Sequence, residues 1–441
     1  MMELPVEISR RLYFSPPNLT TLIVCNREGI RERPPSLMLN VAAKTTIGQG
    51  RTLANMKDNE KLKTYALSDL PHLKVHGRTT GDLSPLTLFW TGSALELNVR
   101  ASELWVEIEA DYDTYEPWIG IVVNGCPVGR QMLTAGRSWL CAFRGLDANV
   151  TKNVRIVKET QAMSGDPGCL LQIHAAKSDG AFLPIEDKPY KIEFVGDSIT
   201  SGEGAIGDKA EADWVPMWFS AIDNYAYLTA QALNADYRAL SQSGWGVLTS
   251  WDNDPRCNLP DYYEQVCGLL TGERNAALGA RRPNDFAAWQ PDVVVVNLGT
   301  NDESAFHQPE WKDEATGETR KQRLNPDGTY HEDDARAFEG AAVRFLEKLR
   351  RCNPSARIVW AYGMLGIPMM PAIARAVDAY AKRTGDTRAT VLQLPIMTEE
   401  TVGARSHPGI ALHERAAKEL AAYLRGLLGS GLANCGGEHD D

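Results

Sequence analysis

Between His76 and about Ile185, apolar and polar residues alternate in short runs: Leu86-Thr87-Leu88-Phe89-Trp90, Leu95-Glu96-Leu97-Asn98-Val99, Leu104 to Glu109, and Trp118 to Val123. A period of two predicts half-buried β-strands. Thr91-Gly92-Ser93, Asn124-Gly125 and Thr134-Ala135-Gly136 separate the runs with turn chemistry, at the spacing of an antiparallel sandwich. From Ile192 the pattern changes. Ile192-Glu193-Phe194-Val195 opens a series of strands separated by helices; Asp292 to Leu298 is a continuous apolar run, as expected of a strand buried on both faces of a parallel sheet, and Ile358 to Tyr362 and Val391 to Leu394 look like its neighbours. Phe338, Ala341, Ala342, Phe345 and Leu349 recur at helical spacing, as do Leu412, Ala416, Leu420 and Leu424. Strands alternating with helices predict a three-layer α/β domain.

Pro184 and Pro189 bracket a charged stretch and put the boundary near residue 188. The expected organisation is a β-sandwich (jelly-roll-like) domain over 71–188 and the α/β domain over 189–430. Residues 1–70, with Pro16-Pro17 and Pro34-Pro35, form an extension without a clear pattern, and 431–441 form an acidic tail. Residues 303–334, rich in charge, Gly and Pro, read as a lid or as a solvated insertion.

The 441 residues carry 46 Lys plus Arg against 57 Asp plus Glu, a net charge of -11, which argues against a nucleic-acid partner. The longest aliphatic run, Val293 to Val296, is far too short to cross a bilayer, so no membrane partner is expected. Met1-Met2-Glu3-Leu4-Pro5 lacks the features of a secretory signal, and a cytoplasmic location is expected. Eight cysteines without a CxxC pair suit reduced thiols. With no phosphate-cradling loop, dinucleotide fingerprint or metal-ligand spacing, no cofactor and no metal are expected.

Four stretches could carry chemistry. Gly196-Asp197-Ser198-Ile199-Thr200 follows a predicted strand and places Ser198 at the carboxyl edge of the sheet. Gly299-Thr300-Asn301-Asp302 follows another, so that the Asn301 amide reaches the same edge. In Ser241-Gln242-Ser243-Gly244-Trp245-Gly246, glycine lets the backbone approach a substrate and present an N–H. Ser406-His407-Pro408-Gly409 precedes the last helix, with His407 on a loop and His413 inside the helical pattern.

Together, in this order and spacing, the four stretches resemble the blocks of the SGNH (GDSL-type) hydrolases over roughly residues 190–428. The resemblance implies Ser198 as nucleophile and His407 as its base, with the Ser198 N–H, the Gly244 N–H and the Asn301 side chain as oxyanion donors. Serine needs such a base near neutrality, and the tetrahedral oxyanion needs preplaced donors. The family often has an Asp three residues before the histidine, where this chain has Ala404. Either another acceptor orients His407 or the site is weak or inactive; Glu399 and Glu400 are nearby in sequence.

Lack of that Asp is similar to some carbohydrate esterases of family two, which hold the histidine with a main-chain carbonyl and carry a jelly-roll-like domain before the SGNH domain. This second resemblance implies a serine esterase that removes O-acetyl groups from carbohydrates such as acetylated xylan or mannan. The rivals are a lipid or thioester acyl-hydrolase and a non-catalytic glycan-binding protein. Trp214, Trp218 and Trp245, with Phe219 and Trp251, lie near the blocks and could stack on sugar rings or pack in the core.

Overall fold

The computed structural model describes residues 62–433. The expected N-terminal extension therefore lies mostly outside the described residues, as does most of the acidic tail. The sheet at the centre is parallel. Its strands are β1 (Tyr190–Gly196), β2 (Ala235–Ser241), β3 (Val293–Asn297), β4 (Arg357–Met364) and β5 (Ala389–Ile396), in the spatial order β2-β1-β3-β4-β5. The helices that flank it or follow its strands are α1 (Ser198–Ser201), α2 (Tyr225–Ala232), α3 (Thr300–His307), α4 (Glu332–Cys352), α5 (Met370–Thr384) and α6 (Ile410–Ala433).

Alternate residues of the strands feed two cores. Val294, Val296, Ile358 and Trp360 pack with Phe338, Phe345 and Leu349 of α4 and with α5. Val293, Val295, Val359 and Ala361 pack with α2 and with Leu412, Ala416, Leu420 and Leu424 of α6. Continuous apolar strands and striped helices are thus two aspects of one three-layer arrangement. The chain leaves β1 toward β2 on one side and returns to β3 on the other. That reversal opens a crevice beyond the carboxyl ends of β1 and β3.

Residues 63–183 add two antiparallel sheets. One orders Lys63–Ala66, Leu170–Ser178, Glu103–Asp111 and Gly136–Arg144; the other orders Ala181–Leu183, Ala94–Arg100, Thr151–Lys158, Trp118–Val123 and Cys126–Met132. Leu95, Leu97, Val99, Val106, Ile108 and Ile156 meet between them. Ala94, Val122 and Val157 face the opposite way and join the core beneath α2 and α6.

The 303–334 segment begins inside α3 and is pinned rather than free. Gln322, buried, donates from Nε2 to the Asp302 carbonyl at 3.1 Å and from its backbone N–H to Asn253 Oδ1 at 2.9 Å. Lys321 donates to the Phe306 carbonyl at 3.0 Å.

Charged groups cross between the antiparallel and parallel layers. The Arg78 guanidinium, fully buried, donates at 3.1 Å to both carboxylate oxygens of Glu193 on β1, and to the carbonyls of Tyr263 and Gln265. Removing one member of such a pair strands the other charge in the interior. Arg78→Ala should therefore lower the unfolding free energy by about 3–5 kcal/mol in chemical denaturation, and a loss below about 1 kcal/mol would contradict this account.

Glu159, at the end of the Thr151–Lys158 strand, accepts from the N–H of Ala221 at 2.6 Å. Burial nevertheless pushes its carboxyl up to about 7 from 4.5. The folded protein holds this proton more tightly than the unfolded chain, so the group favours folding below pH 4.5 and that contribution is lost as pH rises through 7. Glu159→Gln should shrink the difference between denaturation midpoints measured on either side of this window.

Candidate active site

β1 ends at Gly196, and Asp197 caps α1 by accepting the Ile199 N–H at 3.0 Å. Ser198 is the first residue of the helix, at the mouth of the crevice. On the far side, the loop before α6 brings in His407, whose Nε2 lies 2.9 Å from Ser198 Oγ. Its Nδ1 lies 2.9 Å from the Arg405 carbonyl oxygen. A carbonyl can only accept, so Nδ1 carries the proton and Nε2 presents its lone pair to the serine hydroxyl.

Ala404 is fully buried against the Gly204 segment, donating its N–H to the Gly204 carbonyl at 3.1 Å. A Cβ at Gly204 would fall 2.6 Å from His407 Cβ, so only glycine lets the two segments meet here. Glu399 and Glu400 are exposed, and the orienting contact to His407 comes from the main chain of Arg405.

Three potential donors line the same cleft, of about 510 Å³. Among the described residues, the N–H groups of Ser198 and Gly244 have no protein acceptor, and Gly244 holds a φ of +79°. Asn301 donates from Nδ2 to the Trp245 carbonyl at 3.0 Å, which fixes the amide and leaves its second N–H unused. Neighbouring Asp302 is buried and accepts from the N–H groups of Val247 at 2.8 Å, Leu248 at 2.7 Å and Thr249 at 3.3 Å. It thereby ties the Gly244 loop to α3, although burial raises its carboxyl to about 6. Burial, with the Asp302 and Glu203 charges nearby, raises Asp197 to about 7.

Gln161 comes from the antiparallel half. Its Oε1 accepts from the Ser243 N–H at 2.7 Å and from the Ser201 hydroxyl at 3.1 Å, bracing both the Gly244 loop and α1. Nothing local in Glu159-Thr160-Gln161-Ala162 marks it; only the fold does. Asp302 had a signal, as the last residue of Gly-Thr-Asn-Asp, but its task is to hold backbone rather than to face the cleft.

The tryptophans divide. Trp214 lines the cleft, edge-on to Tyr115 with centroids 4.7 Å apart, and Trp251 lines it at 47% exposure. Trp245 is packed in the core against Tyr262, 5.3 Å between centroids, and reaches the site only through its carbonyl. Trp218 packs beside Gly207, and Phe219 is fully buried. His413 is also buried; burial, and then the neighbouring His407, lower its imidazole to about 3. Among the described residues, no group of three or more His, Cys, Asp or Glu is placed to hold a metal ion.

Comparison with known proteins agrees with this geometry. Residues 194–400 match the GDSL-like Lipase/Acylhydrolase family. An acetyl xylan esterase from the rumen bacterium Butyrivibrio proteoclasticus is 45% identical, with a TM-score of 0.82 over 83% of this chain and 99% of that one. A family two carbohydrate esterase from Clostridium thermocellum, in complex with cellohexaose, is 26% identical with a TM-score of 0.67, over 81% of this chain and 99% of that one. An acetylxylan esterase / glucomannan deacetylase from Cellvibrio japonicus is 31% identical over 54% of this chain and 63% of its own length. The chain spans 31% to 63% of the length of the curated relatives it matches. A serine and a histidine in contact at the switch point of this sheet, on a backbone shared with the rumen acetyl xylan esterase and with structural neighbours that are family two carbohydrate esterases, show that the chain belongs to the GDSL-like lipase/acylhydrolase family.

Proposed function

We propose that the protein is a serine esterase that removes O-acetyl groups from carbohydrates, with acetylated xylan- or mannan-type poly- or oligosaccharides as substrates. The observation that carries this reading is the Ser198 Oγ to His407 Nε2 contact of 2.9 Å, with the Nδ1 proton held on the opposite side of the ring. In attack, Ser198 Oγ bonds to the acetyl carbonyl carbon as its proton passes to Nε2. Negative charge gathers on the carbonyl oxygen, where the Ser198 and Gly244 N–H groups and the free Asn301 N–H can donate. Collapse of the tetrahedral centre breaks the bond to the sugar oxygen, which takes the proton from Nε2. Water then attacks acetyl-Ser198, losing its proton to Nε2, and acetate leaves as Ser198 regains a proton.

The acetyl and sugar parts of the reading are supported by the similarity to an acetyl xylan esterase and an acetylxylan esterase / glucomannan deacetylase, and by Trp214, Tyr115 and Trp251, whose flat rings border the cleft and can cover apolar faces of pyranoses. The antiparallel sheets act in this reading as the jelly-roll-like accessory domain, which begins at Lys63 rather than at the expected residue 71 because Lys63–Ala66 pairs with Leu170–Ser178 and Leu67 and Leu70 join its core, and Tyr115, Gln161, Met163 and Gly165 are its contribution to the cleft.

Acetate release from acetylated xylan and glucomannan should fall by about 10⁴- to 10⁶-fold in Ser198→Ala and His407→Ala, and retained activity in Ser198→Ala would overturn the mechanism. With p-nitrophenyl esters, kcat/KM should drop as the acyl chain lengthens from acetyl, because an acetyl pocket excludes added methylenes. A rise with chain length would favour a lipid acyl-hydrolase instead.

A further inference from the structure

Arg405 and Ser406 both have a φ of +56°. Residues with a Cβ enter this left-handed region at a cost, and they stay there only where neighbouring structure holds them. The turn is consequential because it aims the Arg405 carbonyl at His407 Nδ1, where Ala404 supplies no acid. The Arg405 N–H is tied to the Glu211 carbonyl at 2.7 Å. Its side chain reaches further: Nε donates to Glu203 Oε1 at 2.9 Å and Nη1 to the Ala212 carbonyl at 3.3 Å.

Glu203 is placed to anchor that side chain. Its carboxylate is 2% exposed, whereas Arg405 is 30% exposed. Five residues after Ser198, it donates its N–H to the Ser198 carbonyl at 3.0 Å, so it is fixed to the turn that carries the serine. Its Oε1 is also 3.9 Å from His407 Nε2. One buried residue therefore holds the serine turn through its backbone N–H and the histidine turn through its carboxylate.

We propose that Glu203 and Arg405 are a positioning pair that locks the left-handed turn at 405–406 and so keeps the Arg405 carbonyl on His407 Nδ1 and Nε2 on Ser198. The pair does the orienting task that an acid three residues before the histidine would do, through a charge bridge one step removed from the ring. The proposal rests on the reading of Ser198 and His407 given above. Neither Glu203 nor Arg405 takes part in bond making.

Glu203→Gln keeps the side-chain size and removes the charge, and Arg405→Ala removes the partner. Each should lower kcat on p-nitrophenyl acetate by about 10- to 100-fold with KM within about threefold, since a misplacement of about 1 Å costs on the order of 10²-fold. Because the two act as one unit, the double variant should be slower than the slower single by no more than about threefold. Arg405→Lys, which restores the charge, should recover at least about a tenth of wild-type kcat. The His407 Nδ1–H resonance, held downfield by its carbonyl bond, should broaden or move upfield in Glu203→Gln and Arg405→Ala while circular dichroism stays native. Multiplied losses in the double variant, an unmoved resonance, or kcat within about threefold of wild type in both singles would overturn the proposal. Should Glu203→Gln not fold, Arg405→Ala and Arg405→Lys decide by the same criteria. If Ser198→Ala is inactive while these variants are unaffected, the pair alone is refuted; if Ser198→Ala is active, the underlying reading falls.

Discussion

One hydrogen bond, from the His407 Nδ1–H to the Arg405 carbonyl, decides what the imidazole can do. It assigns the tautomer, and it turns the basic nitrogen toward Ser198. A carboxylate in that place would also carry charge; a carbonyl contributes only direction and a dipole. The chain compensates with conformation, because two consecutive residues with side chains are held in left-handed backbone to aim that one oxygen.

Everything else in the site serves to bring distant segments to this ring. The reversal of strand order at β1 and β3 opens the crevice, and each strand end delivers a short turn into it. The turns are then fixed by buried acids whose partners are mostly backbone N–H groups: Asp197 caps the serine helix and Asp302 gathers the loop beyond Gly244. Burial raises both carboxyls, so their worth lies in fixing geometry rather than in net stabilisation.

Much of this is legible in the sequence. The runs at Leu95, Leu104 and Trp118 become paired antiparallel strands, with strict in–out alternation only over Glu103–Asp111, whereas of Leu86 to Trp90 only Leu86-Thr87 pairs and the rest is buried without strand structure; the Val293 to Val296 run becomes the fully buried β3, and the 338–349 stripe becomes the inner face of α4. Ser198 and His407 were legible as a pair because chemistry restricts the residue types and the blocks keep their order. Gln161 and Glu203 were not: each acts across a contact whose other half lies 82 or 202 residues away. Trp245 shows the converse, since its place beside Gly244 suggested a sugar platform, while packing turned the ring inward and left only the carbonyl at the site.

The reach of Gln161 into the Ser243 and Ser201 turns has an evolutionary side. The antiparallel half is not a detachable passenger, because an amide from it braces backbone that frames the reacting centre. Recombination that swapped one half between distant relatives would have to carry a compatible bracing residue with it. The seam between the halves is therefore a poor place for domain shuffling, and the two are expected to have diverged as a single inherited piece.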